Sequence, residues 1–367
     1  MDLRFRIPRA LFSSTRWRTR LVLWGAAACT GLAAVGFAAL SNLALLAFDR
    51  LTAAHHWIAL LLTPAIGMGV VWATRRYFAG AQGSGIPQTI AATRALQTGH
   101  APQGLLSLRI AAGKVGLGAL ALLGGFSAGR EGPSVQIGAS IMHFAHRYLP
   151  HARSLRPSDL ALAGGAAGIA AAFNTPLAGI TFAVEELGRR LEARTSGVLL
   201  STIIIAGLTA IAVEGNYRYF GQLVVGAVGF NLLWAVLVGG VVSGIAGGLF
   251  SRLLLWPQRD RERWLWRLRA RHPVWFAGAC GLAIALLGWL CGGVSFGSGY
   301  QITSQAIAGT VELPWYTAFA RFLATAISFF SGIPGGIFAP ALAVGAAIGT
   351  DLTRWFDLGV AARQVFP

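Results

Sequence analysis

Charged residues are scarce in this sequence. They make up 12% of its 367 residues, while 55% of the residues are hydrophobic. A typical soluble domain carries about a quarter of its residues charged. Acids are the rarer sign, with 13 Asp and Glu against 30 Lys and Arg. This balance argues against an ordinary soluble domain.

Cysteine is almost absent as well. Cys29, Cys280 and Cys291 all lie in apolar stretches, and no pair has the spacing of metal ligands. We interpret them as small packing residues. The histidines fall in loops or near the ends of apolar segments and are assigned no role. The sequence thus predicts no metal site, no cofactor and no catalytic residues, and the protein is not expected to be an enzyme.

Long uncharged apolar runs are abundant. Each has 18 or more residues, and a membrane-spanning helix needs about 20. The first run is too long for a signal-peptide core and ends without an A-x-A cleavage pattern, so we expect it to be retained. The runs predict an all-α, multi-pass integral membrane protein. They are Leu21–Phe48, Trp57–Thr74, Thr195–Val213, Gly226–Ser251 and Val274–Cys291.

The net charge of +17 is concentrated outside the apolar runs. Residues 4–20 contain six Arg, and Arg252–Arg271 contains seven Arg against two acids, interleaved with tryptophans. The positive-inside rule places both segments in the cytoplasm, near anionic lipid. The sequence therefore predicts a basic cytoplasmic N-terminal segment, residues 1–20, and membrane lipid rather than nucleic acid as the partner of these charges.

Glycine is common, with 48 residues. Part of it forms stripes of small residues at helical spacing, from Gly164 to Gly168 and along Gly240, Gly244 and Gly248. Such stripes are typical of closely packed helices in lipid.

Other glycines belong to a second pattern, in which a stretch of small residues runs into a proline and then an apolar segment. Proline is favoured in the first turn of a helix, where its missing N–H costs nothing. Each site therefore predicts a helix that begins within the bilayer. Broken backbone is tolerated there only where it lines a protein-buried cavity, and free N–H groups favour an anion. The sites are residues 83–87, 129–133, 173–176 and 335–340.

The sequence also contains an internal repeat. Residues 133–141 (PSVQIGASI) match residues 340–348 (PALAVGAAI) at a separation of 207. Repeated halves with broken helices are characteristic of membrane transporters. The repeat predicts a first membrane half at 21–214 and a second at 226–367, which includes the basic segment 252–271, with the join near Glu214–Gln222.

Three acids lie in apolar surroundings. Glu131 falls at a predicted helix start, where its carboxylate would take the place of an anion and vacate it on protonation. The alternative is a capping Glu paired with Arg130. Glu185 and Glu186 end an apolar run, and pairing with arginines four residues on explains them equally well. Adjacent helical residues lie about 100° apart, so at most one of the two should face a given pathway.

Two further polar residues have open readings. Ser84 precedes a helix start, where its hydroxyl could donate to an anion or act as an ordinary N-cap. Lys114 is the only lysine and lies within an apolar run. It could extend to the interface or pair with a buried acid.

Four motifs in order carry a family resemblance: GSGIPQ at 83–88, GREGPSVQIGA at 129–139, GIAAAFNTPLAGITFAVEEL at 168–187 and GIPGGIFAPALAVG at 332–345. Together they resemble the CLC family of chloride channels and proton/chloride antiporters. The resemblance implies CLC-like inverted repeats of tilted and broken helices. It also implies a homodimer in a bacterial inner membrane.

The resemblance also assigns roles to residues. Glu131 matches the family's gating glutamate and proton acceptor, and Glu186 its internal proton-transfer glutamate, which favours proton-coupled exchange. Serine at position 84 matches the chloride-preferring form. The implied anion-binding residues are Ser84, Gly85, Ile86, Pro87, Arg130, Gly132, Ile337, Phe338 and Ala339.

One departure from the family concerns length. Family members continue past the second Gly-Ile-Phe-Ala-Pro motif, and the repeat places a partner of Gly168–Glu186 at about 375–393. We therefore expect the second repeat to be incomplete, without the family's central-site tyrosine. The leading function is Cl⁻/H⁺ exchange. The alternatives are a passive chloride channel of the same family, an inactive remnant and an intramembrane serine protease using Ser84 or Ser298, which would need a facing base.

Overall fold

The computed structural model describes residues 14–102, 104–149, 155–188, 193–216, 219–221, 232–260 and 262–356. In these ranges the chain is helical, as predicted. The helices are α1 (Ser14–Ala53), α2 (Ile58–Tyr77), α3 (Ile86–Gln97), α4 (Leu108–Leu123), α5 (Glu131–Ala145), α6 (Pro157–Ala172), α7 (Pro176–Phe182), α8 (Ala193–Glu214), α9 (Leu232–Arg259), α10 (Trp264–Arg271), α11 (Pro273–Leu290), α12 (Tyr300–Ala308), α13 (Thr317–Ser331) and α14 (Phe338–Trp355).

Five of these helices are long and apolar enough to cross a membrane. They coincide with the five apolar runs of the sequence, so the prediction of a multi-pass membrane protein is confirmed. The spans are Trp17–Ala53, Ile58–Tyr77, Gly197–Glu214, Leu233–Pro257 and Pro273–Leu290.

The remaining helices include short ones that begin after breaks in the chain. Helices α3 and α12 have 12 and 9 residues. A helix rises about 1.5 Å per residue, so neither can cross a bilayer that is about 30 Å thick. All four proline motifs start helices, with the proline in the first turn each time. The prolines are Pro87, Pro133, Pro176 and Pro340.

Two parts of the chain repeat the same succession of helices. A spanning helix, a short helix, a third helix and a helix that starts after a glycine-rich break follow one another as α2–α5 and as α11–α14. Helices α5 and α14 begin 207 residues apart, the separation of the sequence repeat. The predicted domain boundaries remain a prediction, because residues 1–13, 222–231 and 357–367 lie outside the described ranges.

Helix α5 is largely buried and packs against α1, α4 and α6. Its contact with α6 depends on glycine. A Cβ built on Gly164 would collide with the backbone of Gly138, and one built on Gly168 would collide with the backbone of Ser134. The first predicted glycine stripe is thus a close helix contact.

The second predicted stripe behaves differently. Cβ atoms built on Gly240, Gly244 and Gly248 of α9 meet no atom within 4 Å in the described part of the chain. Apolar side chains along α9 are exposed as well. The interpretation of close packing therefore fails within the described subunit, because no helix there approaches this face.

This contrast gives a matched pair of variants. We expect Gly164→Ala to destabilise the protein by about 1–3 kcal/mol, because the added methyl forces α5 and α6 apart. Gly240→Ala adds the same methyl to open space within α9, so it should not lower stability and should gain from the higher helix propensity of alanine. The measurement is the unfolding midpoint of the full chain in detergent, with tryptophan fluorescence as the signal. Equal midpoints for the two variants would contradict the close contact.

Candidate functional site: the converging helix starts

Three broken loops are tied to one another by backbone hydrogen bonds. The Gly83 N–H donates to the carbonyl of Ile333 (3.0 Å), and the Gly335 N–H donates to the carbonyl of Gly83 (3.1 Å). Gly129 and Gly336 exchange two bonds of 2.7 Å. The loops before α3, α5 and α14 therefore meet at one place, although they are far apart in the sequence.

Glycine permits this convergence. A Cβ on Gly132 would collide with the Ser84 hydroxyl and lie 3.3 Å from the Cα of Gly336. A Cβ on Gly336 would lie 3.0 Å from the Gly132 nitrogen. The starts of α5 and α14 thus lie within contact distance of Ser84, and only residues without a side chain fit between them.

The start of α3 shows which residue caps it. Gly85 is the N-cap, at a φ of 99° that favours glycine. The Gln88 side-chain oxygen accepts a hydrogen bond from the Gly85 N–H (3.0 Å). The N-cap reading of Ser84 is therefore wrong, because Gly85 occupies that position. Ser84 is only 8% exposed, and its hydroxyl faces the start of α5 instead.

The other predicted anion-binding residues occupy these starts. Ile86 and the exposed Pro87 are the first residues of α3, and Pro87 has no N–H to donate. At α14, Ile337 is the N-cap and Phe338 is the first residue. These predicted residues therefore form the starts of α3 and α14. A helix start concentrates free N–H groups and the positive end of the helix dipole.

Glu131 is the first residue of α5 and is 1% exposed. Its Oε1 accepts a hydrogen bond of 2.5 Å from the hydroxyl of Tyr219. Its Oε2 has no hydrogen-bond partner in the described ranges, and it lies beside Gly129, whose position adjoins the first turn of α14 at Ala339. The carboxylate thus occupies the space that faces the α14 start, where an anion is favoured.

Arg130 approaches the same region from the surface. Its Nη1 donates to the Oδ1 of Asn42 (3.4 Å), and its guanidinium lies 5.8 Å from the centre of the Tyr219 ring. Both Arg130 and Glu131 line a cavity of about 730 Å³, together with Tyr219, Tyr300 and Arg321. Glu131 therefore borders a cavity that is large enough to hold water.

Two tyrosines of this cavity were missed by the sequence analysis. The Tyr300 hydroxyl donates to the carbonyl of Tyr219 (2.5 Å), so Tyr300 supports the residue that binds Glu131. Tyr300 could have been noticed, because it follows a second Gly-Ser-Gly at residues 297–299. Tyr219 carries no such signal, since it lies in the segment between the two halves.

Aromatic side chains close the other side of the α14 start. The Phe338 ring packs edge-on against Phe173 and Phe182, with ring centres 6.4 and 6.5 Å apart. Phe173 also contacts Tyr219 at 5.1 Å. These contacts connect the break before α7 with the region around Glu131.

Glu185 and Glu186 follow α7 in a π-helical segment, Ala183–Gly188, and both are exposed in the subunit. Short π-helical segments are frequent at functional sites. The alternative pairing partners Arg189 and Arg190 lie outside the described residues. The role of Glu186 therefore stays a prediction.

Lys114 follows neither of its two sequence readings. It is 0% exposed, so it does not extend to the interface. Its ammonium donates to the carbonyls of Gly83 (2.5 Å) and Gln82 (3.4 Å), and no acid pairs with it in the described ranges. The lysine is bound to the backbone of the loop that carries Ser84.

The described residues bear on two further points of the sequence analysis, the metal site and the base that a serine protease needs. No cluster of His, Cys, Asp and Glu suited to a metal occurs among them. For the protease reading, Ser298 Oγ accepts a 3.4 Å bond from the Tyr300 N–H. In these same ranges no hydrogen bond pairs Ser84 or Ser298 with a histidine, so the base that this reading requires is not found there.

Helix starts that converge inside a membrane fold, beside a buried carboxylate and a water-accessible cavity, are characteristic of membrane transporters with broken helices. The family model described as voltage gated chloride channel matches residues 66–365. The chain therefore belongs to this family, the CLC family, and the resemblance inferred from the motifs is confirmed.

Curated relatives and solved structures agree with this assignment. The chain is 33% identical to the H(+)/Cl(-) exchange transporter ClcA of Citrobacter koseri over 84% of its own length, and 34% identical to that of Cronobacter sakazakii over 82%. It spans only 63% and 64% of those relatives. A slow cyanobacterial Cl⁻/H⁺ antiporter matches with a TM-score of 0.79 and 25% identity, covering 93% of this chain and 80% of that one.

A second solved structure supports the fold alone. It is a CLC-type fluoride/proton antiporter, with a TM-score of 0.74 and 24% identity, covering 93% of this chain and 83% of that chain. The predicted fold class is thus confirmed both by the helical architecture and by its structural neighbours.

The bond between Tyr219 and Glu131 can be tested by a double-mutant cycle. We expect Tyr219→Phe and Glu131→Ala to be coupled by about 1.5–3 kcal/mol, the range for a hydrogen bond to a charged group. The measurement is the unfolding free energy of the full chain and its three variants by denaturant titration. The control is Tyr300→Phe, which breaks a hydrogen bond to the backbone carbonyl of Tyr219. It should be coupled to Glu131→Ala less strongly than Tyr219→Phe is. Additive effects of Tyr219→Phe and Glu131→Ala would contradict a bond between them.

Proposed function

We propose that this chain forms the ion pathway of a chloride transporter that exchanges chloride for protons. The observation that carries the proposal is the meeting of the α5 and α14 starts at Ser84, beside the buried carboxylate of Glu131. The relatives' names, which describe H⁺/Cl⁻ exchange, support the same reading.

The anion step follows from the exposed helix starts. Chloride enters through the cavity, loses water and is stabilised by N–H groups of the α5 and α14 starts, around Gly132, Phe338 and Ala339, and by the Ser84 hydroxyl. Ile337, Gly85 and Ile86 hold these starts in place. Positive dipoles from two sides replace hydration without a full positive charge in contact with the ion, which permits the ion to leave again.

The proton step uses Glu131. In the structure its carboxylate faces the α14 start, so it competes with chloride for the same positive region. Protonation removes its charge and therefore its attraction to the helix start, which frees the place for chloride. Displaced into the cavity, Glu131 exchanges its proton with water, and Glu186 at the π-helical segment after α7 connects it to the cytoplasm.

The cellular setting is part of the same proposal. The chain is an integral membrane protein, and we place it in the inner membrane of a bacterium with its N-terminus in the cytoplasm. The basic segments at residues 1–20 and 252–271 support this orientation. We propose a homodimer with one pathway in each subunit, with chloride and protons as the transported ligands and no resident cofactor.

The first test removes the gating carboxylate. We expect Glu131→Gln to keep chloride flux and to abolish proton transport, because the amide can no longer accept and release a proton. The measurement uses proteoliposomes with a chloride electrode and a pH electrode read in parallel. Glu312→Gln removes an exposed acid and should leave coupling intact. Full coupling in Glu131→Gln would remove Glu131 from the mechanism, and no flux in the unmodified chain would favour an inactive remnant.

The second test separates exchange from a passive channel of the same family. A channel would share Ser84, Glu131 and the helix starts, but it would not need Glu186. We expect Glu186→Gln to lower proton flux at least tenfold, whereas Glu185→Gln, the neighbouring acid in the same π-helical segment, should retain it. Chloride flux without any proton movement in the unmodified chain would favour the channel.

A further inference from the structure

Among the described residues, each of the two membrane halves has a buried cation in an equivalent place. Lys114 of α4 and Arg321 of α13 lie 207 residues apart, the separation of Pro133 and Pro340. Lys114 is 0% exposed and Arg321 is 2% exposed. Neither has a carboxylate partner among the residues that the structure describes.

Each cation binds the carbonyls of a Gly-Ser-Gly loop in its own half. Lys114 donates to Gln82 and Gly83, immediately before Ser84. Arg321 donates from Nη2 to the carbonyl of Phe296 and from Nη1 to that of Gly297, both at 2.8 Å and immediately before Ser298. The correspondence was not visible in the sequence, because the two loops lie at a different separation from that of the repeat.

The two loops also correspond in a backbone hydrogen bond that each makes to the other half. The Gly83 N–H donates to Ile333 in the break before α14, and the Gly297 N–H donates to Gly125 in the break before α5 (3.2 Å). Each Gly-Ser-Gly loop is thus bound by a cation of its own half and by a break of the other half. Gly85 and Gly299 then cap α3 and α12, with φ values of 99° and 81°.

The geometry of a peptide unit gives this arrangement a consequence. In a trans peptide the C=O and the following N–H point in opposite directions, and the described residues contain no cis peptide. A cation fixed on the Gly83 carbonyl therefore turns the Ser84 N–H away from itself. Arg321 imposes the same orientation on Ser298.

A purely structural role would not require a charge. An uncompensated cation is costly in a membrane interior, and neutral residues of similar volume would pack there at lower cost. A cation on the carbonyl side does more, since it holds the peptide dipole with its positive end toward the other side of the loop. The side of the loop opposite the cation thus has a positive electrostatic potential, although no mobile charged side chain lies there.

We propose that Lys114 and Arg321 are matched positioning residues for the anion pathway. Lys114 fixes the Gly83–Ser84 peptide at the converging helix starts. Arg321 fixes the Gly297–Ser298 peptide in the wall of the cavity, which both Ser298 and Arg321 line. The anion-related part of this inference rests on the proposed transport function, whereas the orientation of the loops does not.

The loop arm of the test is amide hydrogen exchange of the full chain, read by mass spectrometry. Lys114→Met should speed exchange at least tenfold in peptides covering residues 83–86 and leave residues 297–300 as they are. Arg321→Met should do the reverse. Arg109→Met removes an exposed charge from α4 as the control. Unchanged exchange in both loops, or equal acceleration of both loops by either variant, would overturn the proposal.

The anion arm measures chloride affinity by calorimetry and the half-saturating chloride concentration of flux in proteoliposomes. Lys114→Met should weaken chloride binding at least tenfold, while Lys114→Arg should stay within threefold, because a guanidinium can donate to both carbonyls. Arg321→Met should raise the half-saturating concentration at least threefold. Wild-type affinity in Lys114→Met, or equal losses in Lys114→Met and Lys114→Arg, would overturn the proposal.

Two further outcomes are also decided. If Lys114→Met gives no folded protein, Lys114→Arg and Arg321→Lys carry the test, and fast exchange at residues 83–86 in folded Lys114→Arg overturns it. If the unmodified chain binds no chloride, the transport function fails, and hydrogen exchange alone decides whether the cations position the loops.

Discussion

The fold depends on one constraint, that a polar backbone group in a membrane must find a partner. Helices α3, α5 and α14 begin after broken stretches, and each break exposes N–H groups that lipid cannot satisfy. The breaks therefore meet one another. Gly83, Gly129, Ile333 and Gly336 exchange backbone bonds across the two halves, and N–H groups left free at helix starts favour an anion.

Close approach is what makes this meeting effective. Gly132 and Gly336 bring two helix starts and Ser84 within contact distance, and any side chain at those positions would push them apart. The absence of a side chain also lets α5 and α6 approach closely at Gly138 and Gly164. Packing around α5 leaves Glu131 only 1% exposed, so its carboxylate interacts with the helix starts through a medium of lower dielectric constant than bulk water.

Charges in this structure act through the backbone as well as directly. Glu131 faces the α14 start and accepts a bond from Tyr219, while Lys114 and Arg321 bind carbonyls. A direct contact between a lysine and an anion is a strong charge–charge interaction. Backbone dipoles provide several weaker interactions, and the two buried cations orient two of the loops that present them.

The sequence by itself determined the class of protein and most of the residues that meet at the site. Uncharged runs of spanning length predicted the five helices that are long enough to cross a membrane among the described residues. Proline after small residues predicted the broken helix starts with Ser84, Glu131 and Phe338. These are local signals, set by composition and first-turn chemistry. Tertiary structure alone decided that Gly85 rather than Ser84 caps α3, that Tyr219 binds Glu131, and that Lys114 and Arg321 bind equivalent loops. Each of these depends on which groups lie within about 3 Å of one another after the two halves pack together. Local sequence patterns do not reveal such contacts between residues that are distant in the sequence.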